Sequence, residues 1–405
     1  MTDDGTDYAA AATATFQQLK PLFQASTNFW QLGHTFDTVI DYLANVSADD
    51  APVFGGIARE RYRITSDPMM KSACLYDDYG WWGLASLRAS GFAPFRPEDR
   101  EQFERAAHDC WNIIDIWGAA VWEKADRKVW AQLEPRHPGG VWNCSFAASE
   151  VDGDCATPCN PLARTDAIRG FQNTVTNTLA LDLSTRMWLS ARSDESKARY
   201  RASADRQFGF LKAWFADEGS PQTKVEPLLF YYAAPPDGGA PDRCVVRERV
   251  SAYADGSTED VLGFQSKLAW AGDQGLLLGG LVSMMKARGP QHHDYPLMLT
   301  VARQLLTGIQ DYLVAGGLLQ AWAGGDAPAG DKADYLTGIA SCMRYLLYAW
   351  QQGEALRPAM DNDDFKAFVR RNADAAAERS RIDRGDMTDR TNDLATLVLA
   401  KVVGV

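Results

Sequence analysis

Tyr76-Asp77-Asp78-Tyr79-Gly80-Trp81-Trp82-Gly83-Leu84-Ala85 sets two adjacent carboxylates against two indoles just where a helix should begin. Asp suits an N-cap or first turn because its charge complements the exposed N–H groups of a helix start, and the apolar run from Trp81 onward supplies the buried face. Capping accounts for one aspartate well. It accounts for two side by side less well, since like charges repel and are costly in an aromatic-lined place unless something uses them.

Outward from this stretch, nearly every periodic segment is helical. The spacing predicts helices over Tyr8–Phe23, Trp30–Leu43, Gly80–Ala89, Glu98–Trp122, Phe171–Ser190, Glu195–Phe215, Gly275–Lys286, Tyr295–Leu313, Asp334–Trp350, Asp363–Arg379 and Asp389–Val402. Asp49 to Lys71 reads as loop, and Arg243 to Tyr253 as the one plausible strand pair. Small Gly/Ala/Leu-rich helices (Gly80–Ala89, Gly275–Lys286, Gly338–Trp350) alternate with longer, more charged ones (Glu98–Trp122, Glu195–Phe215, Asp363–Arg379). That alternation predicts an all-α ring of buried inner helices and half-wet outer ones. An internal echo supports it: Asp273-Gln274-Gly275-Leu276-Leu277-Leu278-Gly279-Gly280 repeats the acidic, glycine-led start of Asp78-Tyr79-Gly80-Trp81-Trp82-Gly83-Leu84-Ala85. In a closed ring the inner-helix starts converge, so Asp77, Asp78 and Asp273 are expected on one face.

Composition bounds the function. The chain has 405 residues, a length that toroids commonly reach as one unit, and one domain over residues 1–405 is expected. A formal net charge of −12 argues against nucleic acid and anionic membrane surfaces, which both require basic patches. No stretch has the roughly 20 apolar residues of a membrane helix, and Met1–Leu19 lacks the pattern of a signal peptide. The 13 tryptophans suit stacking surfaces for sugars as well as ordinary packing. Cys144, Cys155 and Cys159 share one Gly/Pro/Asp-rich loop, where a disulfide would imply an oxidising compartment. No His or Cys spacing matches a zinc site, and no metal or organic cofactor is expected.

Five motifs in order resemble glycoside hydrolase family 76, the endo-α-1,6-mannanases and their relatives. They are Asp77-Asp78-Tyr79-Gly80-Trp81-Trp82, Gly139-Gly140-Val141-Trp142, Gln172-Asn173-Thr174 with Asn177, Gly272-Asp273-Gln274-Gly275, and Arg371-Asn372-Ala373-Asp374. Two positions depart from the family pattern: Asn143 stands where a second Trp is usual, and Asp273 where Asn is. The resemblance implies an (α/α)6 toroid and a retaining glycosidase for an α-linked, mannan-type glycan, monomeric and working outside the cytoplasm. It implies Asp77 as nucleophile and Asp78 as general acid/base. Trp81, Trp82, Trp142 and Tyr79 are candidate sugar-facing aromatics, Trp82 the least suited because it should turn toward the outer ring. Asn143, Asn173, Asp273 and Gln274 are candidates to bond sugar hydroxyls, with helix capping as the alternative. His137 is expected as a solvated loop residue, and His292-His293 as surface. A transglycosylase using the same covalent intermediate, a hydrolase or transglycosylase for a different α-glycan, a sugar epimerase or unsaturated-uronyl hydrolase on the same toroid, and a non-catalytic glycan-binding or scaffold protein are the competing readings.

Overall fold

A computed structural model describes residues 6–72, 75–115, 137, 139–141, 172–217, 227–232, 242–251, 267–326, 332–382 and 385–405. Among them, twelve helices of 15 to 22 residues carry the fold. They are α1 (Tyr8–Ala25), α2 (Phe29–Asn45), α3 (Ala51–Ser72), α4 (Tyr76–Gly91), α5 (Pro97–Asn112), α6 (Thr174–Ser190), α7 (Asp194–Trp214), α8 (Ala271–Arg288), α9 (Tyr295–Asp311), α10 (Gly338–Gln352), α11 (Asp363–Ser380) and α12 (Met387–Val403).

The even-numbered helices pack in sequence, α2 on α4, α4 on α6, α6 on α8, α8 on α10 and α10 on α12, and α12 returns to α2. This closed inner ring is jacketed by the odd-numbered helices, each lying against an even neighbour. Residue chemistry explains the sorting. From Thr174 to Thr185 eleven of the twelve positions of α6 are buried, and from Ala271 to Met285 α8 is buried throughout, so neither has a wet face. The outer α7 and α11 bury one stripe and expose their charges. Chain ends meet where the Tyr8 hydroxyl donates to Asp374 at 2.7 Å.

The expected inner and outer helices are found among the described residues, though the one expected over Glu98–Trp122 is described as Pro97–Asn112, with residues 116–122 outside the described residues, and the one expected over Asp334–Trp350 divides into the turn Lys332–Tyr335 and α10. The segment Asp49 to Lys71 departs from expectation: it is the outer helix α3, not a loop. Pro52 is tolerated in the first turn, where its missing N–H costs nothing, and Ala51, Phe54, Ala58 and Thr65 recur on the buried side. A Cβ at Gly55 would sit 3.0 Å from the Phe95 ring, so glycine there permits close approach.

The strand expected within Arg243–Tyr253 is also rearranged. Its two pieces do not pair with each other: Val245–Val246 pairs with Leu229–Phe230, and Arg249–Ser251 pairs with Gln172–Asn173 just ahead of α6. A further antiparallel pair joins Ala269–Trp270, just ahead of α8, to Trp322–Ala323. Loops are thus stitched to the N-terminal ends of the inner helices by short strand pairs.

Candidate active site

Because the inner helices all run the same way round the ring, their N-terminal ends share one rim, and Asp77 and Asp78 occupy the first turn of α4. The N-cap is Leu75, which offers no side chain to the exposed amides. Backbone N–H groups of Asp77 and Asp78 bond the Asp77 carboxylate instead, and its Oδ1 is enclosed without a hydrogen-bond partner. Asp78 is 6% exposed.

Burial pushes both carboxyls up. For Asp77 the two backbone amides oppose that effect, and the carboxyl settles at about 6. Asp78 has no such compensation; desolvation, then the neighbouring Asp77, then Asp334 drive it well above the ordinary carboxylate range. The pair therefore divides into a better-solvated anion and a carboxyl that keeps its proton, the arrangement acid/base chemistry requires.

Asp334 is a residue that the sequence reading used only to begin a helix. It lies in the short turn Lys332–Tyr335 ahead of α10, and its charge acts on both members of the pair. A signal was present: Asp334-Tyr335 and a glycine lead into an inner helix, as Asp78-Tyr79-Gly80 does. The turn is anchored by Trp270, whose indole Nε1 donates to the Tyr335 carbonyl at 2.7 Å, and by Trp322, whose ring meets the Tyr335 ring edge-on at 6.0 Å.

The other expected site residues are distributed unevenly. Trp81 is buried between helices, edge-on to His34 at 5.0 Å and 5.9 Å from the Arg344 guanidinium. Trp82 turns away from the axis, donating to the Phe29 carbonyl at 2.6 Å, as its position predicts. Tyr79 is fully buried edge-on to Phe29 and has no open face for a sugar. Asn173 caps α6 through the Thr176 N–H at 3.3 Å, and Gln274 spends its amide on the backbone of Val246 and Trp270. Capping and clamping thus occupy two side chains expected to meet hydroxyls. Asp273 is completely buried in the first turn of α8, on the same rim as the pair. Trp142, Asn143 and the three loop cysteines lie outside the described residues, while Cys110, Cys244 and Cys342 are buried thiols. His137, expected in solvent, pairs with Asp217 and packs edge-on against Trp214 at 4.9 Å. His292 and His293 lie at the surface as expected, His293 with 79% of its side chain exposed.

Below the rim the ring is held by buried charge. Arg344 donates to the His34 carbonyl at 2.7 Å and pairs with Asp37 at 2.9 Å; Arg88 bridges Asp37 and Asp41. Arg186 pairs with Asp182 at 2.8 Å, and the Ser283 hydroxyl donates to the same carboxylate at 2.6 Å. The Ser283 hydroxyl also lies 3.0 Å from the Tyr348 hydroxyl of α10, and with it these contacts tie five of the six inner helices together.

Solved structures identify the architecture. An inactive variant of the GH76A α-1,6-mannanase of Salegentibacter sp. HEL1_6, with two consecutive aspartates changed to asparagine and α-1,6-mannotriose bound, matches at a TM-score of 0.62 and 13% identity over 98% of this chain and 100% of that one. The fold is that of the glycoside hydrolase family 76 mannanases. Dfg5 from Chaetomium thermophilum, in complex with glucosamine, matches at 0.58 and 15% identity over 93% of this chain and 81% of that one. The α-mannanase BT2949 of Bacteroides thetaiotaomicron matches at 0.52 and 10% identity over 98% and 96%. No family profile and no curated protein matches the sequence. The (α/α)6 expectation therefore holds at the level of fold.

Proposed function

We propose that this chain is a retaining glycoside hydrolase that cleaves an α-linked, mannan-type glycan, with α-1,6-mannosidic bonds its leading substrate. The observation that carries the reading is the unequal environment of two consecutive carboxyls in one exposed-amide helix turn. Asp77, with backbone N–H groups directed at its carboxylate, is the nucleophile. Asp78, deeper and poorer in donors, is the acid/base.

In the first step Asp78 gives its proton to the glycosidic oxygen while the Asp77 carboxylate forms a bond to the anomeric carbon. In the second, Asp78 takes a proton from water, and that water displaces Asp77 with net retention. The two solved mannanase complexes with mannooligosaccharides, both of variants altered at two consecutive aspartates, support the assignment by analogy of fold. The bound glycan would lie along the rim formed by the N-terminal ends of the inner helices, over the first turn of α4 that carries Asp77 and Asp78.

A screen of α- and β-linked glycans with chromatography of the products tests the reading. α-1,6-Mannan oligosaccharides are expected to be shortened, with NMR showing that the first-formed product keeps the substrate's anomeric configuration. Asp77→Asn and Asp78→Asn should each abolish turnover without unfolding the protein. Turnover at the wild-type rate by either variant would remove the pair from the mechanism.

A further inference from the structure

We propose that the face of the ring opposite the Asp77–Asp78 rim carries a second binding site, a cleft between the α4–α5 and α6–α7 hairpins that takes a neutral saccharide of about disaccharide size. The proposal does not rest on the hydrolase reading.

The cleft encloses a cavity of about 550 Å³, within the roughly 300–1,000 Å³ usual for small-molecule sites. Its walls come from the last turns of α4 and α6 and from the flanking α5 and α7, so it opens where the inner helices end and not where they begin. Arg88 on its wall follows Asp77 by eleven residues of α4, which at the helical rise sets the two about 16 Å apart along the axis. Local sequence builds the gap. Only Ala191, Arg192 and Ser193 connect α6 to α7, and Ser193 closes the turn by accepting from the Ser196 N–H at 3.1 Å. A connector this short leaves the space beside α4 and α5 unfilled.

The wall matches the chemistry of a sugar. Leu87, Met187 and Tyr200 form an apolar strip suited to the C–H face of a pyranose, and Tyr200 is held edge-on to Trp111 at 4.7 Å. Polar groups of both kinds stand beside it. Arg186 is stacked with its guanidinium carbon 3.9 Å from the Tyr348 ring centre and spends Nε and Nη2 on Asp182; among the described residues no bond takes its Nη1. Arg192 and Glu104 are exposed on the same wall, one a donor and the other an acceptor. A hydroxyl donates and accepts, so it uses both, whereas a carboxylate or phosphate uses donors only.

Charge selects the neutral ligand. Arg88, Arg186 and Arg192 together resemble an anion trap, but two of them are already answered from beneath: Arg88 bridges Asp37 and Asp41, and Arg186 pairs with Asp182 at 2.8 Å. Arg344 shares Asp37, and Glu104 lies on the wall. Four guanidinium groups thus meet four carboxylates, and no net charge is left for an acid to neutralise. The chain as a whole, at −12, repels acids further.

The test is NMR of the full chain carrying methyl-labelled methionine, in which Met187 reports on the cleft wall and is assigned with Met187→Leu. The probes are α-1,6-mannobiose, maltose, glucuronate and inorganic phosphate. At least one of the neutral disaccharides should shift the Met187 methyl saturably in the millimolar range. Changing both Glu104→Ala and Arg192→Ala, which are exposed and leave the fold intact, should weaken that binding about five-fold or more. Asp77→Asn should leave the shift unchanged. The proposal is overturned by no saturable shift from either disaccharide, by equal or tighter binding of glucuronate or phosphate, by a shift that the double variant keeps in full, or by one that Asp77→Asn abolishes. The readout needs no turnover, so a protein that cleaves none of the glycans loses the hydrolase reading while the second site is still decided.

Discussion

The Asn177 amide grips Val141 at both ends of its backbone, accepting from its N–H at 2.8 Å and donating to its carbonyl at 2.9 Å. The same Nδ2 group donates to the Asn173 carbonyl one turn back, at 2.8 Å. Gln274 repeats the pattern on α8: it accepts from Val246 N–H at 2.7 Å, and donates to the Val246 and Trp270 carbonyls at 2.9 Å each. One amide, four residues into an inner helix, thus pins an incoming loop to the rim. All of these groups are buried, so truncation strands several at once. Asn177→Ala and Gln274→Ala should each cost about 2–4 kcal/mol in urea unfolding, above the loss of one exposed hydrogen bond. Asn177→Asp should be no better, because it sets a carboxylate against two carbonyls. A loss under about 1 kcal/mol in both Ala variants would mean that the loops are held elsewhere.

The Asp77–Asp78 pair should destabilise the fold at neutral pH. Desolvation raises both carboxyls, so in the folded state each prefers its proton. For a raised group the stabilising contribution is complete below the unfolded value near 4 and is lost as pH climbs through the folded value, about 6 for Asp77 and well above the ordinary carboxylate range for Asp78. Replacing Asp78 by Asn removes an ionisation that opposes folding at pH 7. Asp78→Asn should therefore melt several degrees above wild type at pH 7, with the advantage shrinking toward pH 4. Calorimetry at the two pH values checks the sign, and an advantage larger at pH 4 would contradict it.

The sorting of helices into inner and outer rings was legible in the sequence because an inner helix, buried on every side, tolerates little but Gly, Ala and Leu. The Asp pair was legible because two adjacent like charges in an apolar setting need a reason. The outer helix α3 was not: Pro52 and Gly55-Gly56 carry local breaker signals, and tertiary packing against Phe95 and Trp82 overrode them. Gln274 and Asn173 were legible as rim residues but not by task, since an amide bonds a backbone or a sugar with the same atoms. Asp334 was hidden because only the ring brings it near residues 256 and 257 positions earlier in the chain, a distance of fold rather than of pattern.

Arg344 and Asp37 form a pair in which each side chain is under 5% exposed. Burial alone would raise the Asp37 carboxyl, but Arg344 and Arg88 outweigh it and hold the group below its ordinary value. Removing one partner leaves an uncompensated charge in the ring. Arg344→Met should cost about 3–5 kcal/mol, and the double change Arg344→Met with Asp37→Asn less than the sum of the singles. A lowered carboxyl stabilises above its unfolded value and loses that contribution as pH falls through the folded one. The penalty of Arg344→Met, read by urea unfolding, should accordingly shrink below about pH 4. Full additivity in the double-mutant cycle would rule out the coupling.

Close approach between inner helices sets the last expectation. A Cβ at Gly275 in α8 would lie 2.7 Å from the Cys342 Cα and 3.0 Å from the Ser341 carbonyl of α10. The obstacle is backbone on both counts, so it cannot swing aside as a flexible side chain would, and α8 and α10 would have to separate. Gly209 in the outer helix α7 has nothing within 4 Å of its Cβ position. The same substitution should therefore act in opposite directions. Gly275→Ala should destabilise by about 2 kcal/mol or more through overpacking, while Gly209→Ala should stabilise by up to about 1 kcal/mol because alanine gives up less backbone entropy in a helix. Because α8 also carries Asp273 on the rim, Gly275→Ala should depress kcat more than its stability loss accounts for, and Gly209→Ala should leave kcat unchanged. Chemical unfolding and turnover measured on the same preparations check both. A stabilising Gly275→Ala would mean that the two helices have room to move apart and that glycine serves no packing purpose there.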